Sequence, residues 1–357
     1  MTSKRTRPDL RRIAAVLDVS PATVSNALSG KGRVSNELAE RIRLTASDLG
    51  YVPGIAGRAL RTGRSHVIGL VLPDISNPLF PQIAQAVEDA ASDAGYGVLI
   101  ANSRSDVSLQ TEAINRLRER GVDGIVIVPR RGTRIADIGL PVAVIDSGST
   151  PGNTVSADHW QGGELIAEHL LSLGHRKMLI LGDSPSSNVQ NDRIGGMKSR
   201  VLQGVSCEIL WVEKLEQQFG KGCPLGLKAK FDQGFTAFAA ALDIVALRAL
   251  TELLGEGLAI PDQASVTGFD NLIWSSAVRP ALTTVHMDMP EIARIAVEAL
   301  LAAVNNRATQ DLVVPLGPVQ PLQPGSGSVP MSLVIRQTSG KPLHLIEEKM
   351  APGRITS

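Results

Sequence analysis

Apolar residues in the first fifty positions of the chain recur at the spacing of one face of an α-helix. Residues 10–17 have this spacing and follow Asp9, a residue type that caps the start of helices. Ser20 and Pro21 begin a second helix, and a third helix is predicted over residues 36–49. Three short helices, with a tight turn between the first two, favour a helix-turn-helix fold, and a small helical bundle with a solvated basic face is the alternative.

From residue 66 onward, short β-rich runs alternate with amphipathic helical patterns. The strands are predicted at 67–72, 97–101, 124–128, 141–146, 177–181, 207–212, 235–240 and 265–269. One of the helices between them is predicted at 192–202. Such alternation indicates parallel, doubly wound sheets, and the length fits two lobes with a ligand cleft at the carboxyl ends of the strands. The expected fold class is therefore α/β, with two doubly wound parallel-sheet lobes preceded by a small all-α domain.

The charge of the chain divides between these two parts. The formal net charge is only +1, but residues 1–66 hold twelve Lys and Arg against five Asp and Glu, a net charge of +7. The rest of the chain therefore carries −6. A basic segment joined to an acidic body indicates a module that meets a polyanion, such as DNA, attached to a part with another task.

Composition excludes several classes of protein. Cys207 and Cys223 are too few for a disulfide framework and lack the clustered spacing of a zinc site. No apolar run approaches the roughly 20 residues that span a bilayer, and no apolar segment follows the basic N-terminus. We therefore expect a cytoplasmic protein without a metal or cofactor.

The residues of the helix-turn-helix and of the segments that follow it closely resemble those of the LacI/GalR family of transcriptional regulators. The matching segments are Val19-Ser20-Pro21-Ala22-Thr23-Val24-Ser25-Asn26-Ala27-Leu28, Arg58-Ala59-Leu60-Arg61-Thr62-Gly63 and Pro73-Asp74-Ile75-Ser76-Asn77-Pro78-Leu79-Phe80. Further matches include Arg193-Ile194-Gly195-Gly196-Met197 and Gly268-Phe269-Asp270-Asn271, so the resemblance covers roughly residues 9–340. It implies a periplasmic-binding-protein-like body and a homodimer that binds a pseudo-palindromic operator, most often as a repressor.

The resemblance assigns DNA-binding roles to the second helix. It implies groove-facing positions at Pro21, Ala22, Ser25 and Asn26, and phosphate contacts at Ser20 and Thr23. Where this chain has Asn26 the family most often has arginine, and asparagine pairs best with adenine. The operator is therefore expected to differ from the commonest pattern of the family.

The segment after the three helices matches the hinge helix of the family. In this family the hinge helix inserts a leucine into the minor groove, and Leu60 stands at the matching position. A flexible linker is the alternative, because Gly54 and Gly57 each disfavour a helix by up to about 1 kcal/mol. We expect this hinge to be disordered without DNA.

Four positions match residues that contact the effector in this family: Phe80, Asp146, Arg193 and Asp270. Arg193 offers several donors, and the two aspartates offer acceptors to the hydroxyls of a sugar or sugar derivative. Alternatively, Arg193 pairs with Asp158, and the other two aspartates cap turns. Leu242 replaces the asparagine that commonly hydrogen-bonds the effector, which leaves a less hydroxylated ligand, a shifted binding mode or lost effector response open.

The domain boundaries follow from these matches. The predicted helix-turn-helix domain covers residues 1–52, the hinge 53–65, the two-lobed effector-binding and dimerisation domain 66–340, and a mobile tail 341–357. The resemblance implies that the chain crosses between the lobes near 155–160, 285 and 315.

No motif supports an enzyme. Asp146-Ser147-Gly148-Ser149 resembles the turn of aspartic proteases, but that catalysis needs a second copy, which the sequence lacks. Phosphate-binding and nucleophile motifs are also absent from the sequence. The alternative to a regulator is a sugar-binding sensor that shares the two-lobed body but has no operator-specific DNA binding.

Overall fold

A computed structural model describes residues 10–29, 34–51, 64–133, 138–150, 152–201, 204–310 and 327–342. The chain divides into two compact units, Met1–Ser65 and His66–Ser357. Each unit has a hydrophobic core of its own. The hinge position Leu60, the predicted cap Asp9 and most of the predicted tail lie outside the described residues.

The first unit consists of three helices around a small core. They are α1 (Leu10–Leu17), α2 (Pro21–Ser29) and α3 (Asn36–Asp48). Ile13, Val24 and Ile42, one from each helix, have no solvent exposure and form the centre of this core. Between α1 and α2 the backbone of Asp18 has a φ of 52°, a left-handed conformation that aspartate tolerates better than most residues.

The second unit contains two parallel four-stranded sheets. In the first lobe β1 (Val67–Leu72), β2 (Gly97–Asn102), β3 (Gly124–Ile127) and β4 (Val142–Val144) lie in the order β2-β1-β3-β4. After the connecting strand β5 (Val155–Ala157), the second lobe has β6 (Lys177–Gly182), β7 (Ser206–Trp211), β8 (Ala237–Ala240) and β9 (Ser265–Thr267) in the order β7-β6-β8-β9. The repeated order and the parallel pairing confirm the two doubly wound lobes.

Helices connect the strands of both lobes. They are α4 (Leu79–Asp93), α5 (Val107–Glu119), α6 (His159–Ser172), α7 (Asn188–Ser199), α8 (Val212–Phe219), α9 (Leu227–Asp232), α10 (Asp243–Gly255), α11 (Ile273–Ala277) and α12 (Met289–Gln310). The prediction that α7 begins at Asp192 is wrong. The helix begins one turn earlier because Ser187 caps it, its hydroxyl accepting a hydrogen bond from the backbone N–H of Gln190 at 3.3 Å.

The remaining strands lie where the chain passes between the lobes. The strand β5 pairs in parallel with β11 (Gly327–Val329), and β10 (Thr284–His286) pairs antiparallel with β12 (Ser332–Val334). β5 leads into α6 of the second lobe, and β10 leads into α12, which packs on α4 of the first lobe. The crossing that we expected near residue 315 lies outside the described residues.

Candidate functional site

The exposed face of α2 carries only short, uncharged side chains. Val24 and Ala27 are buried against the other helices of the first unit, so the opposite side of α2 faces solvent. Pro21, Ala22 and Asn26 are exposed there. All three were assigned groove-facing positions, and α2 contains no Lys, Arg, Asp or Glu.

The hydroxyls assigned to phosphate contact are hydrogen-bonded to each other. Ser20 precedes α2, and its Oγ accepts a hydrogen bond from the backbone N–H of Thr23 at 3.0 Å. The hydroxyl oxygens of Ser20 and Thr23 lie 2.8 Å apart. Ser20 therefore caps α2, and this capping fixes where the helix begins. Ser25, the remaining groove-facing assignment, is half-buried.

A cavity of about 230 Å³ lies between the two lobes of the second unit. It is lined by residues that directly follow the carboxyl ends of strands in both sheets, including Asp74 after β1, Asp146 after β4, Asp183 after β6 and Leu242 after β8. Doubly wound folds bind ligands at this edge of a sheet. Phe80 of α4 and Arg193 of α7 also line the cavity, so three of the four predicted effector contacts are brought together here.

Arg193 is engaged by the protein through each of its three guanidinium nitrogens. Nη1 donates to the backbone oxygen of Ala241 at 2.7 Å, and Nη2 lies 2.8 Å from Oδ1 of Asp270. Nε donates to Nδ1 of His159 at 3.4 Å, and the guanidinium lies 4.1 Å from the centre of the Phe269 ring. With only 1% of its surface exposed, Arg193 forms part of the cavity floor rather than a free fork of donors.

Asp270 lies behind Arg193 and is not among the residues that line the cavity. Burial raises the pKa of the Asp270 carboxyl, while the neighbouring guanidinium opposes this rise. The alternative pairing of Arg193 with Asp158 is wrong, because Asp158 caps α6 by accepting from the backbone N–H of Gln161 at 2.9 Å.

Asp146 lines the cavity at the end of the first sheet. Its Oδ2 accepts a hydrogen bond from the hydroxyl of Thr150 at 2.6 Å, so the carboxylate also holds the following turn. Burial raises its pKa to about 6, although hydrogen bonds from Thr150 and the backbone lower it. A partly desolvated carboxylate at a cavity wall is a strong acceptor for a ligand.

Leu242 presents an apolar surface where a polar one was expected from the family pattern. It lines the cavity with 8% of its surface exposed, and it precedes α10 without capping it by a side-chain hydrogen bond. The next residue, Asp243, accepts hydrogen bonds from the backbone N–H of Leu272 at 2.8 Å and from the hydroxyl of Thr284 at 2.6 Å. This part of the second lobe therefore offers the cavity no polar side chain from position 242.

Hydrogen bonds join the two lobes beside the cavity. Asn188 of α7 donates to the hydroxyl of Thr150 at 3.0 Å, and the hydroxyl of Ser149 donates to Asp192 of α7 at 3.2 Å. Ser147 also donates to Asp192. The turn after β4 and the start of α7 are thereby held together across the cleft.

Sequence reasoning missed several polar residues of the cavity, among them Asp74, Asp183, His159 and Arg130. His159 follows the cap of α6 and is 7% exposed, and Arg130 follows β3. The position of Arg130 just after a predicted strand could have indicated that it lines the cavity. His159 carried no signal except its position beside Asp158, which was considered only as a partner of Arg193.

Two absences hold for the part of the chain that the structure describes. Its helices include none that is long and apolar enough to cross a membrane. It also contains no group of three or more His, Cys, Asp or Glu side chains that could hold a metal ion.

The α6–α7 contact positions Arg193 and depends on glycines. Gly163 of α6 faces the backbone of α7 so closely that a Cβ atom there would lie 2.8 Å from the backbone nitrogen of Met197 and would overlap the carbonyl oxygen of Arg193. Gly196 of α7 faces the backbone of Trp160 in the same way. Only glycine permits such an approach of two helix backbones.

The sequence was compared with known protein families, and two profiles match it. The profile for bacterial regulatory proteins of the lacI family matches residues 9–54, and the profile for a periplasmic binding protein-like domain matches residues 167–338.

Curated relatives and a solved structure are similar over most of the chain. The HTH-type transcriptional regulator DegA of Bacillus subtilis is 30% identical over 78% of this chain and 86% of its own length. The HTH-type transcriptional regulator GntR of Pseudomonas aeruginosa is 31% identical over 87% of this chain and 93% of its own. The crystal structure of the Lac repressor dimer bound to operator and the anti-inducer ONPF superposes with a TM-score of 0.77 at 25% identity, covering 94% of this chain and all of that one. With its helix-turn-helix unit and its two-lobed body, the chain belongs to the LacI family of bacterial transcriptional regulators.

Proposed function

We propose that the protein is a homodimeric repressor that acts in the cytoplasm, binds a pseudo-palindromic operator through α2, and responds to a small effector bound between the lobes. The observation that carries this proposal is the cavity, which is lined from both lobes by the residues that follow strand ends. The proposed domains are residues 1–52 for DNA reading, 53–65 for the hinge and 66–340 for effector binding and dimerisation.

The similar proteins support the repressor, operator, dimer and effector parts of this proposal. Ribose operon repressors of Haemophilus influenzae and Halalkalibacterium halodurans are each 27% identical to this chain, and the similar Lac repressor structure holds a dimer, an operator and an anti-inducer. A sugar or sugar derivative is accordingly the first class of effector to test. Phe80, Asp146 and Arg193 are the proposed lining contacts, and Asp270 is proposed to act through Arg193.

Exposed apolar residues support dimerisation of the second unit. β2 and β7 each lie at one edge of their sheet, and each exposes an isoleucine, Ile100 and Ile209, at equivalent positions. Ile273 and Trp274 of α11 are also exposed. Large apolar side chains at sheet edges and on a short helix are typical of a surface that a second protomer covers. Sedimentation of the full chain as a monomer at micromolar concentration would contradict the homodimer.

Effector control requires that the ligand bind one arrangement of the lobes better than another. The hydrogen bonds of Asp192 and Asn188 to the turn after β4 hold the lobes together in the present arrangement. A ligand that contacts both Asp146 and the start of α7 stabilises this arrangement further. The resulting change at the hinges alters the spacing of the two copies of α2, and with it operator affinity.

Operator selection from a random duplex pool, followed by fluorescence anisotropy, tests the proposal. We expect a pseudo-palindrome that binds at least about 1000-fold more tightly than random DNA. Asn26→Ala should reduce this preference about tenfold, because an asparagine–adenine pair contributes roughly 1–3 kcal/mol of discrimination. The matched change Asn36→Ala, at an exposed position of α3, should leave it unchanged. A protein that binds a small ligand but shows no sequence preference would be the sensor considered above.

A further inference from the structure

The walls of the interlobe cavity carry an excess of negative charge. The charged side chains that line it, among the described residues, are Asp74, Asp146, Asp183, Arg130 and Arg193. The charge of Arg193 is matched by Asp270, 2.8 Å away, and both groups are almost fully buried. Three carboxyl groups therefore face the cavity against one remaining guanidinium.

The single remaining guanidinium does not neutralise these carboxyl groups. Arg130 lowers the pKa of both Asp146 and Asp183, yet burial raises each pKa more than Arg130 lowers it. Further carboxylates reinforce this rise, namely Asp192 near Asp146 and Glu213 near Asp183. A positive group placed at the wall would stabilise the ionised form of Asp146, and a negative group would be repelled.

His159 adds one hydrogen-bond donor to the wall. Burial, and secondarily the charge of Arg193, holds the pKa of His159 well below its usual range, so the ring is neutral. Its Nδ1 accepts the N–H of Arg193 and so carries no proton, which places the ring proton on Nε2. Nε2 has no hydrogen-bond partner within the described ranges, although only 7% of the residue is exposed. In a residue so little exposed, a donor without a partner at the cavity wall calls for an acceptor on the ligand.

One side of the cavity lining is apolar. Leu242 and Met287 come from the second lobe, and Met289 and Ile292 of α12 continue the same surface beside Phe80. Leu242 and Met287 offer no hydrogen-bond partner to a hydroxyl placed against them, and a hydroxyl buried without a partner loses its hydration. This side of the cavity therefore fits the apolar face of a compact ring.

We propose that the effector is a small organic cation: a compact ring that bears an amine, which pairs with Asp146, and one neutral oxygen, which accepts the hydrogen bond from Nε2 of His159. This inference rests on the proposed function, because it takes the cavity as the effector site. Amine-substituted sugars belong to the proposed class, whereas phosphorylated and carboxylated sugars do not.

Three ring compounds of nearly equal size and different charge test the inference. They are trans-2-aminocyclohexanol, which is a cation, trans-cyclohexane-1,2-diol, which is neutral, and trans-2-hydroxycyclohexanecarboxylate, which is an anion. Calorimetric titration of the full-length protein should give an affinity for the amine at least about tenfold above that for the diol, as expected for a hydrogen bond between charged groups. The carboxylate should bind more weakly than the diol.

Two variants assign the preference to the proposed wall. Asp146→Asn keeps an oxygen that accepts from Thr150 but removes the charge, so the preference for the amine over the diol should fall below about threefold. Asp262→Asn, at an exposed residue outside the cavity, should retain the full preference. Operator binding by each variant shows that it is folded.

The outcomes separate this inference from the proposed function. Three results would overturn the proposal of a cationic effector: equal binding of the three compounds, tighter binding of the carboxylate, or no binding of any of them. If the same preparation still binds the operator, the proposed function as a regulator is unaffected. Preference for the amine without any operator preference supports the ligand class and overturns the repressor.

Discussion

The close contact between α6 and α7 predicts opposite effects of one substitution at two glycines. Gly163 lies in the interior of α6 and faces backbone atoms of α7, whereas Gly255 ends α10 with no atom within 4 Å of the position of its Cβ. Alanine at Gly255 should stabilise the protein by about 0.5–1 kcal/mol, because alanine favours the helix more than glycine does. Alanine at Gly163 brings the same gain in helix propensity, but its methyl group would also overlap backbone atoms of α7.

The size of the overlap sets the expected loss at Gly163. The added methyl group would sit 2.8 Å from the nitrogen of Met197 and closer still to the carbonyl oxygen of Arg193, so the helices must separate by roughly 1 Å. Overpacking of this kind costs about 3 kcal/mol when backbone rather than a rotatable side chain is in the way. After the propensity gain, the net loss should be about 2 kcal/mol, and the two variants should differ by about 3 kcal/mol.

Urea unfolding of the two variants, followed by tryptophan fluorescence, measures this difference. Trp160 of α6 packs over Gly195 of α7 and so reports on the same contact. A Gly163→Ala protein within about 0.5 kcal/mol of the wild type would show that the helices separate freely, and the backbone contact would then not position Arg193.

Three further predictions concern the cavity and the hinge. Asp146 has a folded-state pKa of about 6 against an ordinary value of 3.8, so its stabilising contribution is complete below pH 4 and is lost as the pH rises through 6. As the pH rises from 4 to 7.5, the free energy of unfolding of Asp146→Asn should therefore increase by up to about 3 kcal/mol relative to the wild type. If the difference between the two proteins does not change with pH, the burial of this carboxyl is contradicted. Arg193→Met should lower the free energy of unfolding by about 3–5 kcal/mol, because it leaves Asp270 buried without its partner. Adding Asp270→Asn should recover much of this loss, and a double variant without recovery would refute the pairing. Leu60→Ala should weaken binding to the operator more than binding to random DNA, and equal losses in a gel-shift titration would exclude a minor-groove wedge.

The fold was predictable because its signals are local. Alternating strands and helices repeat twice, and several runs of apolar residues coincide with buried strands such as β1 and β6. The start of α7 was predicted wrongly because the residues of its first turn, Asn188 to Asn191, are mostly polar and show no apolar period, and only the cap at Ser187 marks the boundary.

The cavity was predictable only in part because its chemistry depends on pairs that are distant in sequence. Motif matching assigned Phe80, Asp146 and Arg193 to one site, and for Asp146 its position after a strand also favoured this. It did not predict that Arg193 pairs with Asp270, because both were read as separate contacts of one ligand. His159 acquires its role from its contact with Arg193, 34 residues away in the chain, and no local pattern encodes that contact.

Because α2 has no charged residues, two properties of DNA binding depend on different residues: the preferred half-site and the dependence of affinity on salt. Affinity falls with added salt according to the number of phosphates that Lys and Arg neutralise, through the counterions released on binding. Because α2 has no Lys or Arg, that number is set outside α2, where the neighbouring helices carry arginines such as Arg11, Arg12 and Arg41. Uncharged substitutions on the exposed face of α2 would then change the preferred half-site while the dependence of affinity on ionic strength stays constant. During evolution the protein could therefore acquire a new operator sequence without any change in how its DNA affinity depends on the salt concentration of the cell.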